Sequence, residues 1–259
     1  MDISRRDALR RGGGLLAAAA AAGCVEQRVT RREDSVRSST TWGLDAGAEE
    51  TLDASAFEEY VAGMADTYGD GGVWGLEPAP DAELETAYVQ RLPVTRDASG
   101  QPGGAQPTLV PDEIDRAESY PIVDAAVSVH RVGDRHRYRL WAAVDVRNET
   151  FARDADASVL SSGVSVRGGE VTSTASISRD NGAAVVGFDD ETVTRFPLEE
   201  TTESVGTQDR IEAEGYYVAE WDGSVGGTQS LNGAFEVDRE DDHAFRWTVA
   251  GSYTFVQEI

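Results

Sequence analysis

The sequence predicts a mainly β fold in which one N-terminal α-helix packs against an antiparallel sheet. Two observations support this α+β class. Over residues 55–68 apolar side chains recur three and four positions apart, whereas beyond residue 122 they recur at every second position. Strands with one apolar and one polar face are typical of antiparallel sheets that bury one face and expose the other to water. A β-sandwich and a partly open barrel both fit this pattern.

The helix is predicted over Ser55–Tyr68. Ser55 and Glu58 have the spacing of a capping box, and Gly69 is expected to end the helix. Its apolar stripe is aromatic-rich and should lie on a sheet; it consists of Phe57, Tyr60, Val61, Met64, Ala65 and Tyr68.

Two strands, Ile122–Val132 and His136–Arg147, are predicted to form an antiparallel hairpin through a short turn at 132–134. On the first strand, the valines and Ala125 should face the core, while Asp124, Ser128 and His130 should face water. The last strand alternates equally clearly, with Phe245, Trp247, Val249, Tyr253 and Phe255 on one face.

Weaker alternation predicts six further strands, at Ser158–Val166, Glu170–Ser178, Ala183–Phe188, Thr192–Phe196, Glu212–Trp221 and Gly233–Val237. Three dipeptides have the composition of tight hairpin turns: Asn181-Gly182, Asp222-Gly223 and Asn232-Gly233.

The first 23 residues have the composition of an export signal. A basic head precedes twelve residues, Gly12–Gly23, made only of Gly, Leu and Ala. As a helix these would span roughly 18 Å, short of the ~30 Å of a hydrocarbon core. The stretch "SRRDALR" resembles the Ser-Arg-Arg-x-Phe-Leu-Lys pattern of twin-arginine signals, with Ala8 in the place of the bulky residue. The resemblance implies that Arg5 and Arg6 direct export through the twin-arginine machinery.

Cys24 is the only cysteine in the chain and follows "AAG". This resembles a lipobox, which implies a lipidated Cys24 and attachment to the outer face of the cell membrane. The alternative is an ordinary cleavage site that happens to precede a cysteine. The resulting organisation is a signal peptide at 1–23, a lipidated cysteine and polar tether at 24–41, and one extracellular β-rich domain at 42–259.

The charge of the chain is strongly acidic, with 47 Asp and Glu against 23 basic residues, all of them arginine. At 1 M salt the Debye length is about 3 Å, so repulsion between such charges is largely screened. An acidic, lysine-free composition resembles that of haloarchaeal proteins and implies a halophilic chain. It also disfavours nucleic acid as a partner, because phosphates bind basic surfaces.

The chemical motifs are few. His130, His136 and His243 do not have the spacing of zinc ligands, and "WDGSVGG" lacks the first glycine of a nucleophile elbow. We therefore predict no catalytic residue, metal ligand or cofactor. Calcium at an acidic cluster is the remaining alternative, the clusters being Asp154 with Asp156, Asp189–Glu191 and Asp238–Asp242. Asn148 begins an Asn-Glu-Thr sequon and is a candidate N-glycosylation site.

These observations favour a non-catalytic, lipid-anchored surface protein whose β-rich body binds or positions a ligand or protein partner. Two alternatives belong to other classes: a tethered extracellular hydrolase that uses paired carboxylates, and the solute-binding component of a transporter. The hydrolase requires two carboxylates in one pocket, one of them desolvated. The solute-binding class is normally built of two α/β lobes, which the alternation disfavours.

Overall fold

The computed structural model describes residues 29–43, 51–69, 75, 82–93, 122–147, 155–189, 191–238 and 243–258. Over these residues the chain forms one helix and thirteen strands, arranged in three antiparallel sheets. The signal segment with Arg5 and Arg6, the anchor residue Cys24 and the sequon residue Asn148 lie outside the described residues.

Sheet A has the strand order β1-β13-β5-β11-β10, sheet B the order β2-β3-β4-β12-β6, and sheet C the order β7-β8-β9. The strands of sheet A are β1 (Val29–Gly43), β5 (Ala155–Arg167), β10 (Ser204–Arg210), β11 (Tyr216–Val225) and β13 (Ala244–Glu258). Those of sheet B are β2 (Glu83–Pro93), β3 (Ile122–Val132), β4 (Arg135–Asp145), β6 (Val171–Thr174) and β12 (Thr228–Asp238). Sheet C contains β7 (Ser176–Asp180), β8 (Ala183–Phe188) and β9 (Glu191–Pro197).

Sheets A and B pack face to face around one large core. Aromatic side chains cross the interface: the ring centroid of Phe245 in β13 lies 5.0 Å from that of Tyr88 and 5.3 Å from that of Tyr138. Among the described strands, sheet A ends in β1 and β10 and sheet B ends in β2 and β6. The two sheets therefore do not join into a closed barrel. The predicted class, mainly β with one packed helix, is confirmed.

The β3–β4 hairpin is confirmed, with Gly133 and Asp134 at its turn. The prediction that its polar face is wet is wrong. Asp124, Ser128 and His130 are at most 2% exposed, because other parts of the chain cover the outer face of sheet B. Over its first nine residues β3 is buried on both faces.

The helix α1 (Ala54–Tyr68) covers the centre of that face. Its predicted aromatic stripe packs on Val89, Ala126 and Trp141, and the stripe residues that become buried are Phe57, Tyr60, Met64 and Tyr68. The predicted Ser55 capping box is not formed. Asp53 is the N-cap, and its Oδ1 accepts a 2.9 Å hydrogen bond from the backbone N–H of Ala56. Gly69 ends the helix as predicted, with φ +72°.

A buried ion pair satisfies the one carboxylate on β3 beneath α1. Arg91 Nε donates to Asp124 Oδ1 at 2.6 Å, and the Tyr68 hydroxyl donates to Oδ2 at 2.6 Å. Burial and the neighbouring Asp124 carboxylate raise the pKa of Tyr68 well above its usual value. The helix is therefore fixed to the sheet by a charged contact as well as by apolar packing.

Two of the three predicted turn pairs lie inside strands. Asn181-Gly182 is a turn, but Asp222-Gly223 belongs to β11 and Asn232-Gly233 to β12. At Gly233 a Cβ would lie 2.6 Å from Cε1 of Tyr217. Glycine is present there so that an aromatic ring can approach the strand.

The predicted tether at 24–41 differs from the structure from Val29 onward. Val29–Gly43 form β1, which pairs with β13 over fifteen residues from Val29↔Glu258 to Gly43↔Ala244. The hydroxyl of Tyr88 in sheet B donates to the carbonyl oxygen of Gly43 at 2.9 Å. This segment is thus an edge strand of the sandwich.

The cap of α1 gives a direct test of the helix start. Asp53→Ala should lower the free energy of unfolding by about 1 kcal/mol, because the N–H of Ala56 loses its acceptor. Ser55→Ala is the matched control and should change stability by less than about 0.5 kcal/mol. Denaturant titration followed by circular dichroism measures both, and an equal loss in the two variants would contradict the assignment of Asp53 as the cap.

Candidate binding cleft

A cleft of about 330 Å³ opens beside the turn of the β3–β4 hairpin. β4 and β12 supply its floor, and the end of β8 with the start of β9 supplies one wall. The lining residues are Val132, Asp134, Arg135, Arg137, Ser173, Phe188, Glu191 and Glu236. Arg137 and Glu236 are directly opposite each other in the β4–β12 register, which places both on the outer face of sheet B.

A chain of ion pairs organises the cleft. Arg137 binds the Glu191 carboxylate in a two-pronged contact, with Nη1 2.6 Å from Oε1 and Nη2 2.9 Å from Oε2. On its other side the guanidinium donates to Oε1 of Glu236 from Nε at 2.9 Å and Nη2 at 2.7 Å. Arg135 Nη1 donates to Oε2 of the same carboxylate at 2.7 Å, and the Phe188 ring lies 4.9 Å from the Arg137 guanidinium carbon.

This arrangement sets the chemistry of the cleft carboxylates. The hydrogen bonds from Arg137 hold the pKa of Glu191 below its usual value, so this group is ionised near neutral pH. Glu236 is 5% exposed and lies between two arginines. The cleft therefore holds carboxyl and guanidinium groups in alternating order, from Glu191 through Arg137 and Glu236 to Arg135.

A second cleft of about 320 Å³ adjoins the first and shares Phe188 and Glu191 with it. Its other lining residues come from sheet C and are mostly short and polar: Ser176, Ser178, Val185, Gly187, Asp189 and Thr192. Asp189 and Glu191, predicted as part of an acidic cluster, both line this groove.

His130 and His136 flank the β3–β4 turn but lie on opposite faces of sheet B. His130 is on the outer face of sheet B, where its Nε2 lies 3.0 Å from the Ser128 hydroxyl. His136 is on the inner face, and its ring centroid lies 5.6 Å from that of His243. Nε2 of His243 lies 2.7 Å from the Tyr138 hydroxyl, and Nε2 of His136 lies 2.9 Å from Oε2 of Glu85. No pattern in the sequence indicated this inner-face cluster.

Within the ranges that the structure describes, no three His, Cys, Asp or Glu side chains are grouped as metal ligands. The calcium alternative therefore gains no support from Asp156, Asp189, Glu191 or Asp238, and the other cluster residues lie outside those ranges. Arg135, Arg137 and Glu236 were not predicted as site residues. Their only signal in the sequence is the placement of charges on the polar face of two adjacent strands.

No family model, curated protein or solved structure matches this chain. In the described part of the chain, no helix has both the length and the apolar character needed to cross a membrane.

His130 gives the outer face of sheet B a pH dependence. Burial, together with the charges of Arg139 and Arg137, lowers the pKa of His130 to about 4. The unfolded chain binds a proton at this residue with a pKa of about 6.5. Between these values unfolding takes up a proton, so stability is complete above about pH 6.5 and falls as the pH falls towards 4.

Between pH 7.5 and 5.0 this linkage should cost about 2 kcal/mol. His130→Gln should lose correspondingly less stability over that interval than the natural chain, as measured by denaturant titration at both pH values. Ser128→Ala is the control, because it removes the hydrogen-bond partner and leaves the titrating ring, so its pH dependence should be retained. An identical pH dependence in His130→Gln and the natural chain would refute the assignment.

Proposed function

We propose that this protein is an exported, lipid-anchored, non-catalytic binding module on the outer face of the cell membrane. The anchor part of the proposal is supported by the position of the single thiol, Cys24, directly after a basic head and a run of small residues. The binding part is supported by the cleft beside the β3–β4 turn, whose charged groups are already paired with each other.

The distance between a lipid on Cys24 and the folded domain depends on how soon β1 begins after Cys24. β1 begins at Val29, so only residues 25–28 separate Cys24 from the sandwich. At 3.3–3.6 Å per residue, the Cys24–Val29 span is at most about 18 Å. A lipid on Cys24 would therefore hold sheet A near the bilayer surface rather than on a long linker.

The pairing of the cleft carboxylates is the observation that favours binding over hydrolysis. A glycosidase-type pair needs one carboxyl with a raised pKa to act as the acid. In this cleft Arg137 contacts both Glu191 and Glu236, and it lowers the pKa of Glu191. The tethered hydrolase stays a second candidate because two carboxylates, one of them buried, do share a cleft.

The anchor is tested by Cys24→Ser followed by cell fractionation. The natural chain should sediment with membranes, and the variant should appear in the soluble exported fraction. The companion variant, Arg5→Lys with Arg6→Lys, should stay inside the cell because the twin-arginine pattern is lost. Mass spectrometry of the membrane-bound protein would refute the proposal by finding an intact Met1 and an unmodified Cys24.

Glu236→Gln separates the two candidate functions by the sign of a stability change. In a structural ion-pair network the variant should be less stable by about 2 kcal/mol, since Arg135 and Arg137 lose a charged partner. A catalytic carboxylate pair stores repulsion, so its neutralisation should raise stability. The control is Glu83→Gln, a 73% exposed partner of Arg131, which should change stability by less than about 0.5 kcal/mol. A stabilised Glu236→Gln would favour the hydrolase.

A further inference from the structure

The outer face of sheet A is the broad sheet surface that the described helix and sheets leave uncovered. It is defined by the outward positions of five strands, and its members are small and hydroxyl-bearing in the centre. In the described register these are the odd positions 37–43 of β1, the odd positions 159–167 of β5 together with Asp156, and the even positions 204–210 of β10, 216–222 of β11 and 244–254 of β13. A 3.2 Å contact between the hydroxyls of Ser39 and Thr248 confirms that β1 and β13 share this face.

The charge of this face departs from that of the whole chain. It carries four arginines, Arg37, Arg167, Arg210 and Arg246, against three acidic residues, whereas the chain has twice as many acidic residues as arginines. The three acidic residues lie in the half of the face next to the β11–β12 turn. The opposite half, which holds Arg167, Arg210 and Arg246, has no acidic residue among its described outward positions.

Among the described residues, three of these four arginines have no counterion. Arg210 lies 2.7 Å from Glu212, but Arg37, Arg167 and Arg246 form no ion pair or side-chain hydrogen bond with any described residue. In a chain with a net charge of −24, arginines grouped on one exposed face without carboxylate partners are available to an external anion.

One row across the face combines the groups that suit a phosphate-rich surface. The β-sheet register aligns Thr41, Arg246, Ser165, Tyr216 and Arg210 across all five strands. The Arg210 guanidinium carbon lies 5.6 Å from the centroid of the Tyr216 ring. Hydroxyls and guanidinium groups donate to phosphate oxygens, and a tyrosine ring with a polar tip suits the depth of lipid headgroups.

We infer that the outer face of sheet A docks on the anionic headgroups of the membrane. This inference rests on the proposed anchor, because β1 is an edge strand of this sheet and begins five positions after Cys24. A chain with a net charge of −24 is repelled overall by an anionic bilayer, so the anchor and the arginines together favour this face. A flat surface of short side chains lets headgroups approach the strands closely.

The test uses the exported chain, without residues 1–23 and carrying Cys24→Ser, so that neither the basic signal segment nor a lipid contributes to binding. Vesicles of phosphatidylglycerol and of phosphatidylcholine are mixed with the protein at the lowest salt at which circular dichroism shows it folded. Cosedimentation should show binding to the anionic vesicles and little to the neutral ones. Arg167→Gln with Arg246→Gln should weaken binding about thirtyfold, since each arginine near an anionic surface contributes about a fivefold factor.

The matched control is Arg147→Gln with Arg195→Gln, which changes the net charge equally at two half-exposed arginines on other faces. It should change binding by less than about twofold. Equal weakening by both pairs, or no binding to anionic vesicles, overturns the inference. A dimer in sedimentation equilibrium that is lost in Arg167→Gln with Arg246→Gln also overturns it, because the face then belongs to a second copy. Since Cys24 is absent from this assay, a failed anchor and a failed docking face give separate results.

Discussion

The burial of both faces of sheet B is the constraint on which the rest of the structure depends. Its inner face is apolar and joins the core with sheet A, which the alternation of valines and aromatics in β3 and β4 dictates. Its outer face is polar in sequence and nevertheless buried. A buried charge without a partner is strongly unfavourable, so each charged group on this face needs a counterion or must become neutral. Asp124 has Arg91 and the Tyr68 hydroxyl, Glu236 has Arg135 and Arg137, and the imidazole of His130 is kept neutral by its environment.

Where a strand is regular and lies in the middle of a sheet, the sequence was sufficient to find it. The β3–β4 hairpin, the last strand and α1 follow from periodicity alone. β1, β2 and β10 were not found, for physical reasons. β2 is buried on both faces, with Tyr88 and Leu92 in the main core and Ala87 and Val89 beneath α1, so its apolar residues do not alternate. β1 and β10 are edge strands, and an edge strand with a solvated side does not need a continuous apolar pattern. The turns predicted at Asp222-Gly223 and Asn232-Gly233 are wrong, because glycine also occurs inside strands where a neighbouring side chain packs closely.

The cleft could not be predicted from one sequence, because the charged residues that form its ion pairs are far apart in the chain. Glu191 and Glu236 are 54 and 99 positions away from Arg137. Only the β4–β12 register and the position of sheet C bring them together. The histidines show the same limit. His130 and His136 are close in sequence, on either side of one turn. In the β3–β4 register, even positions of β3 pair with odd positions of β4, as His130 does with Arg137. The two histidines, both at even positions, therefore lie on opposite faces of sheet B.

The ion pairs of the structure give a physical reason for the presence of arginine rather than lysine in this chain. A planar guanidinium can bind two carboxylates at fixed angles, as Arg137 does, whereas an ammonium group offers only a point charge. The buried Arg91 and Arg137 each bind a carboxylate in this way. Arg167 and Arg246 form no ion pair with a described carboxylate, and the half of the outer face of sheet A that holds them has no acidic residue among its described outward positions. The outer face of sheet A therefore differs from the chain as a whole in its balance of charge, with four arginines and three acidic residues among its described positions.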